Sequence, residues 1–233
     1  MDQEIENYNS RLKDASPQEI IGFFAEKFQG KIAFATSLGA EDQVITQMIA
    51  GIDPDMKILT LDTGRLFQET YDLLDITRKK YDLNIEVCFP DAMDVEEMVN
   101  TAGINLFYDN VENRKFCCFI RKTEPLTRAL QGMEVWICGL RRDQSITRQE
   151  INAIEWDNIH KMIKVNPLIN WNLQKVWDYI HSQKIPYNTL HDKGFPSIGC
   201  LPCTRAILPG EDIRAGRWWW ESPENRECGL HKK

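Results

Sequence analysis

The chain has 233 residues, 42% of them hydrophobic, and a formal net charge of −7. A chain of this length can bury one substantial core, so we expect a single domain over residues 1–233. The acidic balance argues against a general nucleic-acid surface, although a local cationic pocket for a small anion is compatible with it. Because no apolar run approaches the length of a membrane span and the N-terminus is acidic, the sequence predicts a cytoplasmic protein without a membrane partner.

The predicted elements alternate between helices and short apolar strands. The first helix begins after Ser16, where Glu19 completes a capping box, and runs to about Phe28. Strands are predicted at residues 32–35, 58–61, 85–89 and 135–139, and further helices at about 40–50, 66–81, 95–102, 118–130 and 173–182. This alternation predicts an α/β fold with a parallel sheet covered by helices on both faces. From Ile185 onward the pattern weakens, which predicts an irregular C-terminal segment and a mobile tail over residues 222–233.

Three of the predicted strands end in polar or small-residue turns. Because the carboxyl ends of parallel strands meet at one crevice, we expect these turns to bind an anion of nucleotide size. The candidate substrate-binding residues there are Ser37, Leu38, Gly39 and Asp42 in the first turn, Asp62, Thr63 and Gly64 in the second, and Arg141 and Arg142 in the third. The first turn alone matches neither a P-loop nor a G-x-G-x-x-G fingerprint, so a plain strand-to-helix turn is its alternative. A solvated surface pair is the alternative for the two arginines.

Two pairs of cysteines stand out among the seven in the chain. Cys117 and Cys118 are adjacent, and Cys200 and Cys203 are separated by two residues. Adjacent cysteines form only a strained ring when they pair, and an odd number of cysteines favours metal ligation or redox catalysis in a reducing compartment. Zinc usually draws on C-x₂₋₄-C spacings, whereas a four-iron cluster offers a separate iron to each thiolate. The pattern therefore favours an iron–sulfur centre over a zinc site.

The remaining cysteines receive different predictions. Cys88 and Cys138 lie in strand patterns, and we expect both to be buried and inert. Cys228 lies in the terminal segment between cationic neighbours, which favours an exposed thiolate that could act as a nucleophile. A stray thiol on a frayed end is the alternative for Cys228.

Further cations lie close to the paired cysteines and to a run of tryptophans. Lys122 follows Cys118 by four residues on a predicted helix, so we expect it near the thiolates. Arg214 and Arg217 precede a run of three tryptophans, residues 218–220, for which packing of the C-terminal segment is the simpler interpretation.

Six motifs, in order along the chain, resemble those of the adenylyl-sulfate reductases of assimilatory sulfur metabolism. The motifs are Ser37-Leu38-Gly39-Ala40-Glu41-Asp42, Leu61-Asp62-Thr63-Gly64, Cys117-Cys118 with Arg121-Lys122, Gly139-Leu140-Arg141-Arg142, Cys200-x-x-Cys203 and Glu227-Cys228-Gly229-Leu230-His231. The resemblance implies an adenine-nucleotide α-hydrolase-like, PP-loop-like fold and a [4Fe–4S] cluster held by Cys117, Cys118, Cys200 and Cys203. Gln68 and Leu38 depart from the residues common in the family, which affects the expected adenine packing.

The resemblance also implies a reaction. Cys228 would attack the sulfur of adenosine 5'-phosphosulfate and expel AMP, and a thioredoxin or glutaredoxin-like dithiol would then release sulfite from the S-sulfonated cysteine. Because the substrate and AMP are anionic, cations must offset their repulsion of the thiolate. The candidates are Lys122, Arg141, Arg142, Arg214 and Arg217, with His231 as a residue that handles a proton or docks the tail. Plant members carry an appended thioredoxin-like domain, and since this chain ends without one, we expect a separate dithiol protein.

Three alternatives remain at this stage. The first is reduction of the 3'-phosphorylated nucleotide, alone or together with the unphosphorylated one. The second is an ATP-using sulfurtransferase or adenylyltransferase, which the loop disfavours because it lacks an S-G-G-x-D-S pattern. The third is a non-enzymatic iron–sulfur or zinc protein with an incidental terminal cysteine. A homo-oligomer is compatible with each of them.

Overall fold

The computed structural model describes residues 2–144 and 151–226. The helices are α1 Asp2–Arg11, α2 Pro17–Lys27, α3 Ala40–Ile52, α4 Gln68–Tyr81, α5 Ala92–Ala102, α6 Val111–Cys118, α7 Glu124–Ala129 and α8 Leu173–Ser182. The strands are β1 Ile32–Thr36, β2 Lys57–Leu61, β3 Ile85–Cys88, β4 Val135–Ile137, β5 Ile154–Asp157 and β6 Met162–Val165. A π-helical turn, Phe119–Thr123, connects α6 to α7. None of the helices in this part of the chain is long and apolar enough to cross a membrane.

The six strands form one sheet in the order β3-β2-β1-β4-β6-β5. Strand β1 pairs in parallel with β2 and β4, and β4 pairs in parallel with β6, whereas β5 is antiparallel to β6. The predicted α/β fold with a parallel-dominated sheet is therefore confirmed. The β5–β6 hairpin is an addition that the sequence analysis did not predict.

The helix predicted over residues 118–130 begins earlier in the structure, at Val111, and contains a π-helical turn. The side chain of Asn110 accepts a hydrogen bond from the backbone N–H of Asn113 at 2.8 Å, and this cap begins α6 at Val111. Helix α6 ends at Cys118, and the π-helical turn then separates it from α7. The two adjacent cysteines consequently lie at the C-terminal end of a helix.

Expectations for the two strand cysteines had different outcomes. Cys138 is buried at 2% exposure, as expected. Cys88 is only partly buried, because it is the last residue of β3, the strand at one edge of the sheet. The prediction that Cys88 is a buried core residue was wrong.

The described residues fall into two compact units. The first unit takes in the described parts of Met1–Thr60, Asp72–Glu86 and Gly132–Asn188, and the second those of Leu61–Tyr71, Val87–Gln131 and Thr189–Lys233. Each unit has its own hydrophobic cluster. Phe24, Phe34, Ile45, Val135 and Val165 lie in that of the first unit, and Met98, Leu106, Phe107, Cys117, Cys203 and Trp218 form that of the second. A single domain over the whole chain stays a prediction.

Asn9 of helix α1 contacts the outer strand of the hairpin within the first unit. Its side-chain Nδ2 donates to the carbonyl oxygen of Ile154 at 2.8 Å, and its Oδ1 accepts from the N–H of Ile154 at 3.1 Å. One carboxamide thus satisfies both backbone groups of a residue on edge strand β5.

Candidate functional site

The four predicted metal-ligand cysteines line one pocket in the second unit. The pocket encloses ≈ 380 Å³ of empty space, part of it open to solvent. Its lining residues are Arg65, Phe107, Arg114, Cys117, Cys118, Arg121, Lys122, Cys200, Pro202, Cys203, Arg217 and Trp218. Five of these side chains are arginine or lysine, so the pocket combines sulfur ligands with positive charge.

Local structure determines where the second cysteine pair points. Cys200 precedes a 3₁₀ turn, Leu201–Cys203, whose Cys203 N–H donates to the Cys200 carbonyl oxygen at 3.0 Å. The Thr204 hydroxyl also donates to that oxygen, at 2.9 Å, and Leu201 N–H donates to the carbonyl oxygen of Arg65 at 2.8 Å. These bonds present both sulfurs on one side of a short turn.

The charges around the pocket favour one thiol for ionisation. Burial raises the pKa of Cys200, but the Lys122 ammonium, the Thr63 hydroxyl at 3.3 Å and Arg217 outweigh this effect and lower it. Burial raises the pKa of Cys203 to about 12 and also raises that of Cys117. The prediction that Lys122 lies near the thiolates is confirmed.

The turn that contains Asp62, Thr63 and Gly64 also belongs to the second unit and contacts the cysteine pocket. Asp62 accepts hydrogen bonds from Gly64 N–H at 2.7 Å and from the Tyr71 hydroxyl at 2.9 Å. Gly64 has φ +70, a left-handed conformation that favours glycine. Arg121 donates from Nη1 to the carbonyl oxygen of Thr63 at 2.7 Å. Burial, together with the neighbouring Asp62, raises the pKa of Tyr71 to about 12.

In the first unit, Asp42 organises the turn between β1 and α3. Its Oδ2 accepts hydrogen bonds from the N–H and the hydroxyl of Ser37, both at 2.6 Å. Leu38 has φ +59, an uncommon conformation for a leucine, and its N–H donates to the Thr36 hydroxyl at 3.0 Å. Gly39, the residue before α3, supplies no side-chain cap, so the turn leaves helix N-terminal N–H groups without that acceptor.

Gly139 packs directly against this turn. A Cβ atom at Gly139 would lie 2.0 Å from Asp42 Oδ1, so only glycine leaves room for the carboxyl. Burial raises the pKa of Asp42 to about 6, although two hydrogen bonds from Ser37 lower it.

The adjacent arginines of the first unit have different environments. Arg141 is buried at 1% exposure, and its Nε donates to Glu41 at 2.8 Å, so the solvated-pair interpretation does not hold for it. Arg142 donates from Nε to the carbonyl oxygen of Ile151 at 2.9 Å and also contacts Asn170. Glu41 thus holds Arg141 at the start of α3.

Near the end of the second unit, the predicted cations contact tryptophan and backbone. The Arg217 guanidinium lies 4.5 Å from the Trp218 ring centroid, and Nη1 donates to the carbonyl oxygen of Ile198 at 3.1 Å. Arg214 donates from Nη2 to the carbonyl oxygen of Arg226 at 2.7 Å. Trp218 is buried, whereas Trp219 is 36% exposed.

Two predicted residues, Cys228 and His231, lie outside the described residues. Sequence reasoning placed Arg121 in a family motif but gave it no role, and it gave none to Arg65 or Arg114. Arg121 follows Cys117 by four residues, so the spacing that indicated Lys122 could also have indicated Arg121, whose contact with Cys117 affects the pKa of that thiol.

The pocket could hold a sulfur-containing group. In the part of the chain that the structure describes, Arg121 Nε, Arg217 Nε and Trp218 Nε1 are buried without a hydrogen-bond partner. Across the same residues, no three His, Cys, Asp or Glu side chains are arranged to hold a metal ion. The four predicted ligand cysteines all line this pocket.

The chain matches known reductases along most of its length. The model of the phosphoadenosine phosphosulfate reductase domain matches residues 31–206. The adenosine 5'-phosphosulfate reductase of Allochromatium vinosum is 50% identical over 202 residues, which are 87% of this chain and 79% of that protein. The enzyme of the same name from Neisseria meningitidis serogroup B is 51% identical over 200 residues, or 85% of this chain and 81% of that one. The chain belongs to the phosphoadenosine phosphosulfate reductase family, so the prediction of a reductase of this family is confirmed.

Solved structures agree with the fold. The phosphoadenylyl-sulfate reductase of Candida auris, solved as a phosphate complex, superposes with a TM-score of 0.76 at 28% identity, covering 89% of this chain and 98% of that one. The FMN adenylyltransferase of Candida glabrata with ATP gives a TM-score of 0.58 at 14% identity, covering 97% and 75% of the two chains. The second likeness concerns the fold alone and supports the PP-loop-like architecture.

Proposed function

We propose that this protein reduces adenosine 5'-phosphosulfate to sulfite and AMP in sulfate assimilation, as a cytoplasmic step toward cysteine biosynthesis. The observation that carries the proposal is the identity of about half the aligned residues with relatives named for this substrate, such as those of Allochromatium vinosum and Rhizobium meliloti. The cysteine pocket of the second unit, with its five cationic side chains, supports the same chemistry.

Candidate substrate-binding residues occur in both units. In the first unit they are Ser37, Leu38, Gly39, Asp42, Arg141 and Arg142, and in the second Asp62, Thr63, Gly64, Lys122, Arg214 and Arg217, with His231 in the tail. The N–H groups at the start of α3 suit a nucleotide phosphate, and the ammonium of Lys122 suits a sulfate. Arg141 is paired at 2.8 Å with Glu41, which lies in the first turn of α3. Arg141 therefore acts on a bound anion partly by holding the start of α3 in place.

Cys117, Cys118, Cys200 and Cys203 are the proposed ligands of a [4Fe–4S] cluster. Thiolates hold such clusters, and hydrogen bonds to the cluster sulfurs tune them, so the buried N–H groups of Arg121, Arg217 and Trp218 fit such a group. A cluster bound by these four cysteines would link the two cysteine pairs and add charge to the pocket that Lys122 also lines.

Cys228 is the proposed nucleophile. Its thiolate forms a bond to the sulfur of the substrate, the bond from that sulfur to the bridging oxygen breaks, and AMP leaves with the electron pair. A thioredoxin or glutaredoxin-like dithiol then attacks the Cys228 sulfur and sulfite leaves. The second thiol of that protein closes its disulfide and restores the Cys228 thiolate, so the dithiol supplies both electrons.

The decisive experiment is turnover of purified protein with adenosine 5'-phosphosulfate and thioredoxin. We expect sulfite and AMP in equal amounts, and without thioredoxin we expect one AMP per chain and a sulfonate adduct on Cys228, read by mass spectrometry. An adduct on Cys88 or Cys138, or sulfite release by Cys228→Ser at the normal rate, contradicts the mechanism.

The 3'-phosphorylated nucleotide is the second candidate substrate. The matching family model and the Candida auris enzyme are both named for it. We expect the higher kcat/KM for the unphosphorylated nucleotide, because the relatives near 50% identity carry that name. Assays of both nucleotides with the same reductant decide between them, and a strong preference for the 3'-phosphorylated form reverses the assignment.

Iron analysis tests the cluster independently of turnover. Replacement of any one of the four pocket cysteines by serine should lose iron and most activity. Cys88→Ser is the matched control, because Cys88 is also partly buried in the second unit but does not line the pocket. Full iron retention by all four variants rejects the cluster.

A further inference from the structure

A buried ion pair in the second unit lies outside the proposed catalytic and substrate-binding residues. Arg114 in α6 donates from Nε to Glu221 Oε1 at 2.9 Å and from Nη2 to Oε2 at 2.7 Å. The two side chains are 1% and 3% exposed. A two-point contact between a guanidinium and a carboxylate fixes orientation as well as distance. The pair therefore links the helix that ends in Cys117 and Cys118 to the chain beyond Trp218.

The same arginine holds a strained turn. Trp218 has φ +41, a clear outlier for a bulky side chain. Its ring contacts two guanidinium groups, with Arg114 at 4.7 Å and Arg217 at 4.5 Å from the ring centroid. Its N–H donates to the carbonyl oxygen of Cys203 at 3.2 Å. Such strain persists only where the surroundings enforce it, and it concentrates at functional sites.

The contacts continue to the last described residue. Arg114 Nη2 also donates to the carbonyl oxygen of Asn225 at 2.7 Å. Arg226 donates from Nε to the carbonyl oxygen of Glu221 at 3.0 Å, and its own carbonyl oxygen accepts from Arg214 at 2.7 Å. Side chains thus fix residues 218–226 through their backbone carbonyls, next to the cysteine pocket that Arg114 itself lines.

We propose that Arg114 and Glu221 are positioning residues for the transfer of the sulfonate group. The pair holds residues 218–226 against the cysteine pocket and so determines the point from which the chain continues toward Cys228, two residues after Arg226 in the sequence. This inference rests on the proposed function, because it assumes that Cys228 is the nucleophile. It assigns Arg114 no contact with substrate.

Two conservative variants test the pair. Arg114→Lys keeps the charge but replaces the fork of donors by one ammonium, and Glu221→Gln keeps the shape but removes the charge. Since a small misplacement of reacting groups costs about 10²-fold in rate, we expect each variant to form the Cys228 adduct about 10²-fold more slowly in a single turnover without thioredoxin. We expect unchanged AMP affinity and iron content. The double variant should be little slower than either single one, because both remove the same contact.

The matched control is another two-point pair in the second unit. Arg205 donates to Glu211 through two bonds of 2.8 Å, but the side chains are 35% and 30% exposed and do not line the pocket. Arg205→Lys and Glu211→Gln should form the adduct at the rate of the unmodified protein.

Each outcome has a definite meaning. If the unmodified protein forms no adduct on Cys228, the proposed function fails whatever the variants do. If it does form the adduct and the Arg114 and Glu221 variants match its rate, the positioning role is overturned. Loss of iron, of AMP binding or of folding in both Arg114→Lys and Glu221→Gln assigns the pair to stability and also overturns that role.

Discussion

At Gly139, the lack of a side chain allows Asp42 to hold the turn between β1 and α3. The Asp42 carboxyl occupies the space where a Cβ atom would stand, and from there it binds the N–H and hydroxyl of Ser37. A substituent at position 139 therefore acts on the turn through Asp42.

Gly139→Ala should destabilise the protein and weaken AMP binding. Forcing a methyl group into a packed site typically costs about 1–3 kcal/mol. Gly51→Ala is the control, because a Cβ at Gly51, near the end of α3, meets nothing within 4 Å. That change should stabilise the protein by about 0.4–1 kcal/mol, since alanine restricts the unfolded chain. Thermal unfolding and AMP titration of both variants give the comparison, and equal behaviour of the two contradicts the close contact.

The buried carboxyl of Asp42 should make stability depend on pH. Its pKa rises from 3.8 to about 6 in the folded protein, chiefly through burial. The folded state therefore holds this proton more tightly than the unfolded state. The stabilisation that the neutral carboxyl provides is complete below pH 3.8, declines between 3.8 and 6, and is lost above the folded pKa.

The corresponding test compares the unmodified protein with Asp42→Asn. Asparagine keeps an oxygen that can accept from Ser37 but cannot ionise. The stability difference between the two proteins should change by on the order of 3 kcal/mol between about pH 4 and pH 7, in favour of Asn at the higher pH. Thermal unfolding across this range measures the difference. A difference that is constant with pH rules out the raised pKa.

Among the elements, α6 has the most direct connection to the site, because its cap determines where Cys117 and Cys118 lie. Asn110→Ala removes the bond to Asn113 N–H and should cost about 1 kcal/mol. If the free energy of local opening around α6 falls by that amount, the proposed cluster should release iron to a chelator about fivefold faster.

Helix α8 in the first unit provides the control for this prediction. Asn172 caps α8 by accepting from Lys175 N–H at the same distance, 2.8 Å. Asn172→Ala should lose similar stability and release iron at the normal rate. If both variants release iron equally fast, the cap of α6 has no special link to the cysteines.

Elements with strong local signals were predictable from the sequence. The capping box of Ser16 and Glu19 gave the start of α2, and the period of the apolar residues gave α8 over the observed range. Helix α1 and the β5–β6 hairpin were missed. Helix α1 is largely polar with one buried residue, and charged residues interrupt both hairpin strands, Glu155 and Asp157 in β5 and Lys164 in β6.

The site was predictable where neighbours in sequence are neighbours in space. Lys122, four residues after Cys118, lines the pocket as expected, although a π-helical turn rather than an α-helix carries it there. The contact of Thr63 with Cys200 joins residues 137 apart, and the pair of Arg114 with Glu221 joins residues 107 apart. Contacts at such separations depend on tertiary packing, which a local pattern does not encode.

At the scale of the whole molecule, the two units have separate hydrophobic clusters, and the cysteines belong to one of them. Cys117 and Cys203 pack with Phe107 and Trp218 in the second unit. Because metal binding contributes folding free energy, removal of iron from the proposed cluster by a chelator should loosen that unit in particular. Hydrogen exchange should rise in residues 87–131 and 189–226 and stay slow in β1 and β4. An equal rise of hydrogen exchange in both units contradicts the expectation that the two hydrophobic clusters open independently.

The bonds between Asn9 and Ile154 affect whether another chain can add a strand to β5. An outer strand with open N–H and C=O groups is a template on which another chain can add a strand, a common start of aggregation. Asn9 presents an amide in the manner of a neighbouring strand and occupies both groups of Ile154, so this position of β5 is closed to strand addition. Helix α1, which is largely polar and adds little to the core, thus shields this edge strand of the sheet. We expect this protection to favour solubility at high concentration.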